Sequence, residues 1–245
     1  MTARTPAGLL AAILATNPAQ PLLTFYDDAS GERTELSAVT LDNWVSKTAN
    51  LLVDELGLGG EDAAAIALPP HWQTAAVLLG CWKAGLAVHH GRPGGGPGEL
   101  VRAEVAFCAM DRLDEISAPE TYGLSLAPMA MPLRDAPDSV SDYVLEVRKH
   151  GDFYSGPQAD PAHPALTGLP GGGALSHAEL TEKAYEHAAS LGLTSEDRVL
   201  IAEPRRPLDW LLAPLAAGAS VVLCRNADPA KLDARAESEK VTRRL

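Results

Sequence analysis

Thr167-Gly168-Leu169-Pro170-Gly171-Gly172-Gly173-Ala174-Leu175-Ser176-His177-Ala178-Glu179-Leu180 sets a glycine-rich loop directly ahead of a helix start. Ser176 followed three residues later by Glu179 is a capping box, which predicts a helix running to about Leu191. A glycine turn feeding a helix N-terminus offers free backbone N–H groups and the positive end of a dipole, so a phosphate cradle is one reading. The other is a tight turn that simply requires residues able to take positive φ. Both readings expect at least one of Gly168, Gly171, Gly172 and Gly173 at φ > 0, and His177 in the first helical turn.

Around this stretch lies a chain of 245 residues, long enough for one larger domain or two small lobes. Hydrophobic residues make up 46% and charged residues 21%, the balance of an ordinary globular protein. A net charge of −12 argues against broad electrostatic attachment to nucleic acid or to an anionic membrane. Cys81, Cys108 and Cys224 are scattered and odd in number, so neither a disulfide framework nor a metal cluster is indicated, and a reducing, cytoplasmic location is expected. The uncharged stretch from Ala63 to Trp82 is interrupted by Pro69-Pro70, which favours a buried strand turning into a core helix over a membrane span.

Periodicity predicts a first helix beginning at Thr5-Pro6, then a hairpin of strands 21–26 and 33–37 across the turn Asp27–Gly31. Thr40 is expected to cap an amphipathic helix closed by Gly57. Further strands are expected at 63–68, 86–89, 105–109 and 122–126, alternating with helices. Asp138 is expected to cap a helix over 139–150, after a Pro- and Met-rich connection. Beyond the glycine loop come a strand at 198–202, a helix at 208–217, a strand at 219–224 and a last helix after Asp228. This alternation indicates mainly parallel sheets flanked by helices, an α/β fold in two lobes. The expected layout is lobe one at about 1–126, a connection at 127–163, and lobe two at about 164–245.

Several of these segments carry a family resemblance. Thr167-Gly168-Leu169-Pro170, Gly172 and Leu175-Ser176-His177 resemble the phosphate loop of adenylate-forming (AMP-binding) enzymes, the ANL superfamily that includes acyl-CoA synthetases. Gly60-Glu61-Asp62 before Ala63–Leu68, Cys81-Trp82-Lys83-Ala84-Gly85, and Pro214 through Leu223 resemble other segments of the same family's N-terminal half. Two departures weaken the phosphate-loop resemblance. Gly171 stands where the family has its lysine, and His163-Pro164-Ala165-Leu166 replaces its hydroxyl-rich run. The chain also ends at Leu245, ahead of the positions of the family's later motifs, its hinge and its catalytic lid.

The resemblance therefore implies a truncated AMP-binding-like domain with a degenerate nucleotide loop formed by Thr167, Gly168, Gly171, Gly172, Ser176 and His177. It implies no adenylating activity from the chain alone, weak binding of a nucleotide (ATP or AMP) or an acyl ligand at most, or a regulatory or interaction role. The alternative is half of a split acyl-adenylating enzyme completed by a protein partner. From the residues themselves, no catalytic triad, metal motif or dinucleotide fingerprint emerges, so no catalytic residue and no metal ligand is assigned. His177 is expected to pack or cap rather than act as a base. His89-His90 is too sparse for a metal site. His71-Trp72 are read as helix-entry packing, Asp27, Asp28 and Glu32 as an ordinary hairpin turn, and Arg205-Arg206 as a solvated turn.

Overall fold

A computed structural model describes residues 2–90, 101–169, 173–204 and 206–245. The chain opens with α1 (Pro6–Thr16), whose N-cap Thr5 accepts a hydrogen bond from the Gly8 N–H. The hairpin β1 (Pro21–Asp27) and β2 (Glu32–Ser37) follows, then α2 (Ala38–Asn50), which continues as a π-helical turn, Leu51–Glu55. Next come β3 (Ala63–Ala67), α3 (Trp72–Ala84), β4 (Ala87–His90), β5 (Val101–Arg102), β6 (Val105–Ala109), β7 (Ile116–Ser117) and β8 (Glu120–Leu124). The chain continues through β9 (Ser141–Asp142), α4 (Tyr143–Val147), β10 (Pro164–Leu169), β11 (Gly173–Ser176) and α5 (His177–Ser190). It closes with β12 (Arg198–Ile201), α6 (Ala213–Ala217), β13 (Ser220–Arg225), α7 (Leu232–Ser238) and β14 (Arg243–Arg244).

Apart from β5 and β7, which pair in a separate two-stranded sheet, two large sheets organise the described elements. One has seven strands in the order β11-β10-β4-β3-β6-β8-β9, and the other five in the order β14-β12-β13-β1-β2. All pairings are parallel except the hairpins β1–β2 and β10–β11. Strand alternation sorts side chains by face. Ala64 and Ile66 of β3 share one continuous core with Val221 and Leu223 of β13, together with α1, α2 and α3. Ala65 and Ala67 turn the other way onto Ala106, Cys108 and Ile116. Val222 and Cys224 likewise turn outward onto Ala236 of α7. Burial on both faces explains why these strands read as unbroken apolar runs.

The α/β class with mainly parallel sheets is as expected, but sheet membership crosses the expected lobe boundary. The hairpin β1–β2 belongs to the five-stranded sheet, with Leu23 opposite Val221. The hairpin β10–β11 extends the first lobe's sheet, with Leu166 opposite Val88. Periodicity marks a strand but carries no record of its neighbour, so the split at 127–163 does not divide the sheets.

Two caps also differ from expectation. Ser37, not Thr40, caps α2 and accepts from the Thr40 N–H. Asp142, not Asp138, caps α4, because Ser141-Asp142 first pairs with β8 and leaves a helix of five residues.

Candidate functional site

The glycine-rich stretch is built as a hairpin rather than as a direct strand-to-helix loop. β10 and β11 pair antiparallel, Leu169 opposite Gly173, and Pro170, Gly171 and Gly172 between them lie outside the described residues. Thr167 and Gly168 therefore belong to a strand, and Ser176 and His177 sit one strand later. Gly168 has φ +74°, the left-handed conformation expected of this run. A Cβ added there would lie 2.3 Å from Cε1 of His89, which also has its Nδ1 3.4 Å from the Thr167 hydroxyl. Both strain and contact thus require glycine. Gly168→Ala is expected to destabilise the fold by about 1 kcal/mol or more in urea unfolding, with or without a ligand. A neutral substitution would show that the strand end relaxes freely.

The N-terminus of α5 is closed by the chain's own groups. The His177 N–H donates to the His163 carbonyl at 2.9 Å, and the Ala178 N–H to the Pro161 carbonyl at 2.9 Å. The Glu179 N–H donates to Ser176 Oγ at 3.2 Å, while the Ser176 N–H donates back to Glu179 Oε2 at 2.8 Å, completing the capping box. Every N–H of the first turn that would face an anion is already bonded, and a carboxylate stands at the positive end of the dipole. His177 is fully buried, its Nε2 3.4 Å from the Gly85 carbonyl, and burial pushes its pKa down. That is a packed histidine, as its position at the start of the helix suggests.

The other polar residues singled out in the sequence lie apart from this hairpin. Arg206 pairs with Asp209 at 2.8 Å within its own turn. His71 caps α3 by accepting the Gln73 N–H at Nδ1, and is buried against Phe25. Asp28 and Glu32 are not an ordinary turn. Asp28 holds Arg235 at 2.8 Å, and Glu32 is buried with Nε2 of His71 3.6 Å from its Oε2. A charged residue beside a turn reads as solvated unless its tertiary partner is known, and nothing local to Glu32 announces His71.

Two cavities flank the sheets. One of about 650 Å³ lies at the amino ends of β1, β12 and β13, beside α1. A second, of about 570 Å³, lies at the carboxyl ends of β6, β8 and β13 and is lined by Met110, Asp111, Leu126, Met131, Arg134 and Arg225 among others. In parallel sheets, ligands bind outside the carboxyl ends of the strands, which singles out the second cavity as the candidate cleft. Its residues come from three distant segments, so no sequence motif marks it. The nearest signal is the Pro- and Met-rich connection after β8.

A parallel α/β fold with this glycine hairpin defines the class. Over residues 11–108 the chain matches the AMP-binding enzyme family. The fold is similar to part of an acyl-CoA synthetase from Brucella canis (TM-score 0.76, 16% identity, 98% of this chain and 46% of that one). It is equally similar to the anthranilate CoA ligase AuaEII in complex with anthranoyl-AMP (TM-score 0.76, 15% identity, 98% and 49%). The chain thus spans about half the length of these solved structures and resembles their N-terminal half. It is also 45% identical over 250 residues to a TIGR03089 family protein of Mycobacterium tuberculosis (strain ATCC 25618 / H37Rv), covering 97% of this chain and 96% of that relative. The chain belongs to that family.

Proposed function

We propose that this protein is a degenerate AMP-binding-like module that does not adenylate carboxylic acids on its own. Its role is ligand binding or regulation through an inherited fold. The observation that carries this is the closed N-terminus of α5, whose first-turn N–H groups bond to His163, Pro161 and Ser176. Gly171 supplies no cation where related enzymes have a lysine. A charge-assisted contact contributes ~1.5–3 kcal/mol, so its loss alone weakens phosphate binding roughly tenfold to a hundredfold. Adenylation also needs charge compensation at the reacting phosphorus, and these residues offer none.

Thermal unfolding with ATP and magnesium tests this reading. A true ATP site at ~100-fold excess over Kd would add about 2.7 kcal/mol of stability. For a chain of this size that is a rise of roughly 5–10 °C, whereas a shift near zero is expected. A shift in that range would overturn the proposal.

A second reading, half of a split acyl-adenylating enzyme, is favoured by the coverage of only 46% and 49% of the matched synthetase and ligase. It predicts ATP–pyrophosphate exchange only when a partner chain is supplied.

A further inference from the structure

We propose that the cavity at the carboxyl ends of β6, β8 and β13 binds a small anionic amphipath, with Arg225 and Arg134 anchoring its charged head. The head is a carboxylate or a phosphate monoester, and the body is a short apolar chain or ring. The site is separate from the glycine hairpin and does not depend on any nucleotide binding there.

Charge is the first argument. The chain carries a net −12, yet among the described residues the charged ones lining this cavity are Arg134, Arg225 and Asp111, a local excess of one positive charge. Several other arginines of the protein are committed, Arg33 and Arg198 to Glu239 and Arg235 to Asp28. Neither Arg134 nor Arg225 has a side-chain hydrogen bond or an ion pair among the described residues. A guanidinium presents a planar fork of donors suited to carboxylate or phosphate oxygens, so two of them without partners at one cavity form an anion anchor. One net positive charge matches a head of one or two negative charges and leaves a triphosphate uncompensated.

Shape and lining supply the rest. A volume of about 570 Å³ is that of a small-molecule site. Its apolar wall is Met110, Leu124, Leu126, Met131 and Leu133, and methionine adapts readily to an irregular apolar body. The segment forming much of that wall holds Leu126, Met129, Ala130 and Asp135 at positive φ, between +49° and +60°. A non-glycine residue held at positive φ is strained, and such strain is found preferentially at ligand clamps. Ser125 fixes the bend, its hydroxyl donating to the Met131 carbonyl and accepting the Ala127 N–H. The cavity at the opposite strand ends lacks these features. Its charged lining of Glu196, Asp197 and Arg198 is net negative, and Arg198 is held by Thr24 and Glu239.

Calorimetric titration of the full chain with hexanoate, hexyl phosphate, hexyltrimethylammonium and inorganic phosphate tests the proposal. Hexanoate, hexyl phosphate or both should bind, the tighter one identifying the head, while the cation and bare phosphate bind at least about tenfold more weakly. Arg225→Gln and Arg134→Gln should each weaken the anionic amphipath about tenfold or more, and Asp111→Asn should tighten it. Arg134 is exposed, so its variant reports on binding even if Arg225→Gln folds poorly. Absence of binding by both anionic amphipaths, equal binding of the cation, or unchanged affinity in Arg134→Gln would overturn the assignment.

Discussion

Replacing Trp82 with alanine is expected to lower the free energy of unfolding by about 3–5 kcal/mol. In a chain of this size that lowers the melting temperature by roughly 10 °C. Trp82 is 1% exposed on α3, inside the core shared by both sheets. Its indole N–H donates to the Ala165 carbonyl at 2.8 Å, tying α3 to β10, the strand that carries Thr167 and Gly168. Alanine therefore leaves a large void and an unpaired carbonyl at the root of the glycine hairpin. Trp82→Phe keeps most of the apolar contact and is expected to lose only about 1–2 kcal/mol. Urea unfolding of both variants separates the two contributions, and an alanine loss below about 1 kcal/mol would contradict this placement.

Glu32→Ala should be nearly as damaging, by about 3–5 kcal/mol, because it breaks a buried polar cluster from one side. Glu32 Oε1 accepts the Thr34 hydroxyl at 2.6 Å and the Trp72 indole N–H at 3.2 Å, while Oε2 faces His71. Burial alone would raise the Glu32 pKa, but the facing His71 ring and hydrogen bonds from Thr34 and Trp72 hold it below the usual carboxylate range. Burial pushes the His71 pKa down despite that carboxylate. Because Nδ1 of His71 accepts the Gln73 N–H, the neutral ring carries its proton on Nε2, toward Glu32. Removing the carboxylate strands the Thr34 hydroxyl and the Trp72 indole N–H and takes away the charge facing His71, whereas Glu32→Gln retains an acceptor and should cost clearly less.

The same burial fixes a pH dependence. His71 and His177 bind protons more weakly folded than unfolded, so their stabilisation is full above the unfolded value of about 6.5 and declines as pH falls below it. The carboxylates Asp28 and Glu239 extend the loss to lower pH. Burial opposes ionisation of Glu239, yet Tyr26, Arg198 and Arg33 lower its pKa to about 2, so its contribution fades between roughly pH 4.5 and 2. Stability measured from pH 8 to 3 should therefore fall continuously on acidification, beginning near 6.5. A flat profile down to pH 5 would show that the buried histidines are charged in the fold.

What the sequence made legible was local. The capping box of Ser176 and Glu179, the Thr5-Pro6 start of α1 and the positive φ of Gly168 each depend on a few adjacent residues, and each is present. β11 escaped notice because Gly173-Ala174-Leu175-Ser176 has no alternation and no β-branched residue, so the glycine run looked like a loop feeding the helix directly. The partners of β1 and β10 were invisible for a different reason. Strands far apart in the chain meet only through the packing of the whole core, as Leu23 meets Val221. The candidate cleft fails to appear in the sequence on the same ground. Asp111, Arg134 and Arg225 are each unremarkable alone, and only the ends of three strands bring them to one cavity.

The central claim, that this AMP-binding-like fold does not adenylate carboxylic acids by itself, is tested most directly by acid-dependent ATP–pyrophosphate exchange. The purified 245-residue chain is incubated with ATP, magnesium, labelled pyrophosphate and a panel of carboxylic acids. No exchange above the no-acid control is expected from the wild type. None is expected from Gly171→Lys either, because a single restored cation leaves the first-turn N–H groups of α5 bonded to His163, Pro161 and Ser176. Exchange by the wild-type chain alone that rises with an added acid would contradict the account.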